Sequence, residues 1–431
     1  MKTCSSLSVL TMITTATMVR QLSSIVRFEI KVSVDPDRSR LLSGWSFDPP
    51  ASFVATGSEE SQRLVDLQKN LTGCLSHECV NQLASSLAMA YPKKDFTWCR
   101  NKDKLHEVFQ GILLIKMPKV ASSTTADVAK RLGDQLNCSA VRWQHTQPQQ
   151  YANHSPESLL FTSVRDPGAR AVSRVYFSHI SRSRRLQKNP EPFLLNYLMR
   201  NTNNQGGTVS PGQGGFQLQY AAMKNIPSYS AWKPSARDTV QDPEKVIQNV
   251  VETLQSFTMV LVAERMDESL VVLALLLGID VSLVLVQASK VSGANYYYDK
   301  PLPREKLAKG VCRSILKAQR FAKVEALLES DSWRAMNYGD YLLHAIAKQS
   351  LQRTIESIQP EFDKALLRYR TLQDLVQAQC ANDTHYPCSD KGVPQPELAK
   401  ESCYVEDAGC GYKCVDRVVQ EYDRTHHASI Q

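Results

Sequence analysis

The chain has 431 residues, 42% of them hydrophobic and 22% charged, with a formal net charge of +8. That hydrophobic share fills a sizeable core, which excludes a wholly disordered chain and leaves one large or two ordinary globular domains. The charge is concentrated, because residues 167–237 hold ten Lys and Arg against one acid, Glu191, a local net of +9 that leaves about −1 for the rest. A patch of that density fits either a polyanionic partner or a solvated arginine-rich surface. The chain carries no zinc-finger spacing and no aromatic-flanked RNA-binding signature, so nucleic acid is not the expected partner.

Within residues 1–30, CSSLSVLTMITTATMV is apolar but rich in Ser and Thr, and Lys2 and Arg20 flank it. It is short for a membrane span and fits a signal anchor or a signal segment. Residues 31–104 read as a stem-like or peripheral segment, with DPDRSR and DPP turns and an amphipathic piece over 64–87. The central domain, 105–379, opens on ILLI as a short strand. TTADVAKRLGDQL follows as a helix with Val128, Leu132 and Leu136 on one face. Thr124 with Asp127 three residues later reads as a capping box that starts this helix. A second unit repeats the order: LLFTSV is the strand, Asp166 the cap, Pro167 the first helical position, and the helix runs to about Ser181.

The segment NTNNQGGTVSPGQGG reads as a flexible loop at an active-site rim. FTMVLVAERMDESLVVLALLLG predicts a third strand and a buried helix, and beyond Pro303 the pattern is helical over 305–329, 338–358 and 360–378. Strands alternating with helices predict an α/β sandwich around a central, mainly parallel sheet, followed by a helical C-terminal extension and a Cys-rich segment, 380–431.

Of eleven cysteines, Cys74, Cys79 and Cys99 precede the first strand and Cys380, Cys388, Cys403, Cys410 and Cys414 crowd the C-terminus. This even set of eight is expected to pair. Cys4 in the leader, Cys138 after a helix and Cys312 inside a helix are expected to stay free. A zinc site is disfavoured because there is no CxxC and His385 is the single histidine among the tail cysteines. The cysteines and the sequons at Asn70, Asn137, Asn153 and Asn382 are compatible with a secretory route.

The chemistry is concentrated in two strand-to-helix turns. In the first, Lys119 precedes Ser122, Ser123 and Thr124, where backbone amides and the positive end of a helix attract a phosphate or sulfate. In the second, Arg165 leaves the strand and Ser173 follows about two helical turns later, a second anion clamp. Each turn read singly is also an ordinary helix cap; as a pair they can hold both phosphate groups of one nucleotide. The chain has no GxxxxGK[ST] loop, which disfavours a Walker-type kinase or ATPase.

These residues resemble the PAPS-dependent sulfotransferases, and among them the Golgi-type carbohydrate sulfotransferases of the heparan 2-O and galactose 3-O kind. PKVASST resembles their 5′-phosphosulfate loop, VRDPGARAVSRVYF their 3′-phosphate motif, and ERMDESLVVL an element of the galactose group, so the likeness covers residues 110–280. The glycine of the cytosolic sulfotransferase loop is Ala121 or Ser122 here. The resemblance implies a P-loop-like three-layer sandwich, PAPS as sulfate donor, no metal, a glycan acceptor and a Golgi-luminal, type II membrane location. It implies that Lys119, Val120, Ala121, Ser122, Ser123, Thr124 and Thr125 hold the 5′-phosphosulfate, and that Arg165 and Ser173 hold the 3′-phosphate.

A sugar hydroxyl needs a general base. His145 lies where the heparan 2-O group carries its histidine, and Glu264, at a strand end, is the second candidate; His154 and His179 are weaker ones. Arg174, Arg182, Arg184 and Arg185, with Gln217 and Tyr220, are the candidate acceptor contacts, and Tyr296–Tyr298 could stack on a sugar or on adenine. The competing classes are a luminal glycan-binding protein with a degenerate nucleotide site and a nucleotide kinase.

Overall fold

The computed structural model describes residues 76–94, 111–138, 141–142, 154, 157–200, 216–221, 243–287, 296–298, 312–383, 388–389, 391, 393–395 and 409–427. They all fall in one compact unit, Gly73–Gln431. The leader, most of the stem-like segment, the NTNNQGG loop and His145 lie outside the described residues.

The elements are α1 (His77–Leu87), β1 (Ile112–Ile115), α2 (Ser122–Gln135), β2 (Val141–Arg142), β3 (Leu159–Val164), α3 (Pro167–Ser178), α4 (Arg184–Lys188) and α5 (Pro190–Arg200). They continue with α6 (Phe216–Ala221), α7 (Pro243–Ser256), β4 (Met259–Val262), α8 (Met266–Leu276), β5 (Tyr296–Tyr298) and β6 (Cys312–Ser314). The C-terminal part is helical: α9 (Ala322–Glu329), α10 (Asp331–Met336), α11 (Tyr338–Ser357), α12 (Glu361–Cys380) and α13 (Tyr412–His427).

The fold is α/β with a small parallel sheet in the order β2-β1-β3-β4, in which β2 is only a two-residue edge. β1 and β3 are neighbours in parallel register, Ile112 opposite Leu159 through Ile115 opposite Thr162. Every residue of β1, β3 and β4 is buried, as a parallel strand covered on both faces requires, and this is why ILLI and MVLV are unbroken apolar runs. Each Ile or Leu so buried contributes about 1.5–3 kcal/mol. The two polar residues of β3 use their hydroxyls locally. Thr162 Oγ1 donates to the Ile115 carbonyl at 2.8 Å and Ser163 Oγ to the Val120 carbonyl at 2.7 Å, stitching β3 to the turn after β1.

Helix α2 packs on β1, β2 and β3 through Ala126, Val128, Ala129 and Leu132, all fully buried. Helix α8 is apolar and buried beyond its acidic first turn, packed against β4 and α12. Helix α11 lies across α1, α7 and β4. Among the described residues no helix is long and apolar enough to cross a membrane.

Three expectations need correction. Helix α2 begins at Ser122, two residues before the expected box; its N-cap, Ala121, gives no side-chain cap, and Asp127 is drawn into the interior instead. Of the helix expected over 305–329, the described residues, 312–329, are helical only over α9, and Cys312 sits in β6, antiparallel to β5. Cys312 and Cys138 are not free thiols. Cys312 is bonded to Cys388 and Cys380 to Cys414, and Cys79, Cys138 and Cys410 are disulfide-bonded as well. These bonds suit an oxidising, secreted or luminal environment. A smaller adjustment concerns α3, which ends at Ser178 and passes into a 3₁₀ turn, Ile180–Arg182.

Candidate functional site

Because β1 and β3 are parallel neighbours, the turns that leave their C-terminal ends emerge side by side, the place where open α/β sheets bind ligands. The contact is direct: Arg165 Nη1 donates to the Lys119 carbonyl at 3.3 Å, across 46 residues of sequence.

The first turn is backbone-strained. Lys119 has φ 69° and Ala121 φ 63°, both left-handed and neither glycine. Such positions cost on the order of 1–3 kcal/mol and persist where the surroundings over-determine them. The turn leads into a helix N-terminus that carries no side-chain cap. Lys119, Ala121, Ser123 and Thr124 are half-exposed, and Ser122 lies at the edge of burial at 9%. Val120 and Thr125 are fully buried, and Thr125 Oγ1 donates to the Ser122 carbonyl, so these two contribute backbone only. Lys119 Nζ lies 4.1 Å from the centre of the Phe177 ring, on α3.

The second turn follows the sequence closely. Asp166 caps α3 by accepting from the Ala169 amide at 2.7 Å, with Pro167 as the first helical residue. Ser173 is nearly buried on α3, one helical turn before Phe177. Burial pushes the Arg165 guanidinium below its ordinary pKa, against the Glu264 and Asp166 carboxylates, and Arg320 adds to the lowering. Arginine stays charged through such a shift. An anion placed here would therefore offset a desolvation cost already present in the fold.

The remaining candidates separate by position. The Arg182 guanidinium lies 5.7 Å from the centre of the same Phe177 ring; Arg184 and Arg185 are exposed on α4, and Arg174 is half-exposed on α3. Tyr220 packs on Phe216 at 5.4 Å. His179 stands in an aromatic cluster with Phe193 and Tyr197, and burial, then Arg174 and Arg182, lowers its pKa and keeps the ring neutral. His154 is half-buried at an isolated bridge. For Tyr296–Tyr298 the backbone pairing with β6 is described, and the side chains lie outside the described residues.

Two candidates have a different task from the one expected. Gln217 is fully buried and its amide brackets the Arg165 backbone, accepting from the N–H and donating to the C=O, both at 2.8 Å. Buried in this way, it cannot meet an acceptor. Glu264 has both oxygens engaged, Oε1 by the Asp166 N–H at 2.8 Å and Oε2 by His344 Nε2 at 3.1 Å. Burial alone would raise the Glu264 carboxyl, but the hydrogen bond and charge of His344 and the Asp166 amide outweigh it and hold the pKa below the ordinary range. A carboxylate so held is a weak base.

The residues missed from sequence are Phe177, Asp340 and His344. The last two are polar positions four apart on α11, a helix whose other inward residues are mostly apolar, and that spacing was the available signal. Among the described residues no group of His, Cys, Asp and Glu converges as a metal site. No protein-family pattern matches the chain, and no curated protein matches it either. What the described residues form is a paired-turn site, cationic at Lys119 and Arg165, at the C-terminal edge of the parallel sheet.

Proposed function

We propose that the chain is a PAPS-dependent carbohydrate sulfotransferase built on a P-loop-like α/β sandwich. The observation that carries this reading is the Arg165 to Lys119 contact, which joins two separate basic turns into one cationic site. Around it, the uncapped start of α2 and the desolvated Arg165 guanidinium suit the 5′-phosphosulfate and the 3′-phosphate of the donor. The donor supplies the sulfuryl group.

In the proposed reaction the acceptor oxygen forms a bond to sulfur as the bond from sulfur to the 5′-phosphate oxygen breaks. Products are the sulfate ester and 3′-phosphoadenosine 5′-phosphate. Lys119 stabilises the negative charge that grows on the leaving phosphate, and positioning with electrostatics supplies most of the acceleration. The hydroxyl proton goes to a base, assigned to His145 on the family resemblance. Arg174 and Arg182 meet an acidic glycan, with Arg184 and Arg185 further out on α4. Disulfides and the apolar leader support a luminal location, with an N-terminal anchor in a Golgi membrane.

The direct test is thermal. The protein is expected to melt higher with 3′-phosphoadenosine 5′-phosphate, because a ligand bound only to the folded state stabilises it, and Lys119→Ala should remove most of that shift. Absence of a shift in the wild type sinks the donor assignment; glycan binding without it would favour the non-catalytic class. A second measurement concerns the base. His145→Ala should lower labelled-sulfate transfer about a hundredfold or more while leaving the nucleotide-induced shift intact. Unchanged turnover would remove His145 from the reaction.

A further inference from the structure

Helix α11 reaches the Arg165 turn by two routes. Asp340, fully buried, accepts the N–H groups of Gln217 at 3.0 Å and Leu218 at 2.9 Å. Those bonds fix the start of α6 and with it the Gln217 amide that brackets the Arg165 N–H and C=O. One helical turn on, His344 meets Glu264, whose other oxygen accepts from the Asp166 N–H. Three successive backbone groups, Arg165 N–H, Arg165 C=O and Asp166 N–H, are thus all taken by side chains oriented from one helix face. Neither Arg165 nor Asp166 leaves its amide for a ligand, so recognition at this turn falls to the Arg165 guanidinium and the Ser173 hydroxyl, whose aim depends on how the backbone is held.

We propose that His344 is a positioning residue for nucleotide recognition: acting through Glu264, it sets the Arg165–Asp166 turn so that the guanidinium discriminates ligands carrying a 3′-phosphate from those without one. This rests on the donor assignment above. His344 touches no reacting atom, and its effect is confined to one end of the nucleotide. The chemistry fits the chosen residues. A histidine ring donates one defined hydrogen bond to Glu264 Oε2, which leaves Oε1 turned to the Asp166 amide; without that donor the carboxylate can rotate, and the turn loses one of its three side-chain ties. Asp340 and Gln217 hold the other two, so the turn persists but loosens.

The experiment compares 3′-phosphoadenosine 5′-phosphate with 5′-AMP by titration calorimetry on the full chain. Wild type should prefer the 3′-phosphorylated nucleotide. His344→Ala should lose about tenfold of that preference, with 5′-AMP affinity within twofold, the size expected for one charge-assisted bond made less well. His344→Gln, which keeps a side-chain N–H donor, should recover most of it. Equal losses for both nucleotides in His344→Ala, or no loss for either, overturn the positioning role, since a merely structural residue would act on melting temperature and not on the ratio. If His344→Ala does not fold, His344→Leu, which keeps bulk but has no donor, is read in its place with the same criteria. A wild type that binds neither nucleotide, or binds both equally, overturns the donor assignment and the role of His344 together.

Discussion

Arg165→Ala is expected to abolish the stabilisation given by 3′-phosphoadenosine 5′-phosphate and to lower sulfate transfer by about 10² to 10⁴-fold, the loss of two charge-assisted hydrogen bonds at roughly 1.5–3 kcal/mol each. The size follows from what the guanidinium does. In the proposed donor site it is the cation that meets the 3′-phosphate, and it also donates to the Lys119 carbonyl of the other turn, so its removal would strip one anion contact and loosen the second. The unliganded protein should lose little stability, because the side chain is desolvated with a lowered pKa and its hydrogen bond goes to a neutral carbonyl. Arg165→Lys keeps the charge but not the planar fork and should recover less than about a tenth of wild-type affinity. Ser173→Ala removes one neutral hydroxyl and should cost about five- to tenfold. An Arg165→Ala protein whose melting temperature still rises fully with the nucleotide would mean that the paired turns do not hold it.

The elements around this site were legible where sequence and burial pull the same way. ILLI, LLFTSV and MVLV are strands because buried parallel strands need largely uninterrupted apolar runs, and the Asp166–Pro167 pair starts α3 by a purely local rule. Local rules failed where distant residues took over. Asp127 did not cap α2, because the hydroxyl of Tyr412, far along the chain, competes for its carboxylate. Cys312 left its expected helix for a strand held by β5 and by the bond to Cys388, 76 residues away. At the site, Lys119, Arg165 and Ser173 are marked by their turns, whereas Asp340 and His344 act from a helix more than 170 residues beyond the second turn. No local pattern announces which side chains of a packed helix will fold back on a loop. Glu264 and Gln217 show the same limit, since only their hydrogen bonds reveal that they hold the Arg165–Asp166 backbone.

The tail contributes the second large prediction, through Asp127. The residue is 2% exposed, its carboxyl accepts from the Tyr412 hydroxyl at 2.7 Å, and its Oδ2 is buried with no hydrogen-bond partner among the described residues. Gly409, at φ 74°, packs its backbone so closely on this carboxyl that any side chain there would overlap it. Arg131, one turn on, is turned to Asp416 at 2.7 Å and the Ser282 carbonyl at 3.3 Å. Burial therefore prevails over the Tyr412 bond, the Arg131 and Lys130 charges and the Gln287 backbone, and pushes the Asp127 pKa up to about 7 from 3.8.

The sign follows from linkage. A carboxyl with a raised folded-state pKa binds its proton more tightly when folded, so its stabilisation is complete below about pH 4 and is lost as pH rises towards 7. At about 1.4 kcal/mol per pH unit, the loss between pH 5 and pH 8 is about 3 kcal/mol. Asp127→Asn replaces the protonated carboxyl by a neutral group of the same shape and does not titrate. Its stability relative to wild type, from urea midpoints, should climb by about 3 kcal/mol over that range, leaving the variant the more stable protein at pH 8. Curves that stay parallel would show that Asp127 is ionised at both ends and that the Arg131, Lys130 and Tyr412 contacts offset its burial. Because Asp127 lies on the first turns of α2, the helix that begins at Ser122, the same titration should loosen the phosphosulfate end of the site. Nucleotide affinity in the wild type should then fall as pH rises towards 8, and Asp127→Asn should flatten that decline.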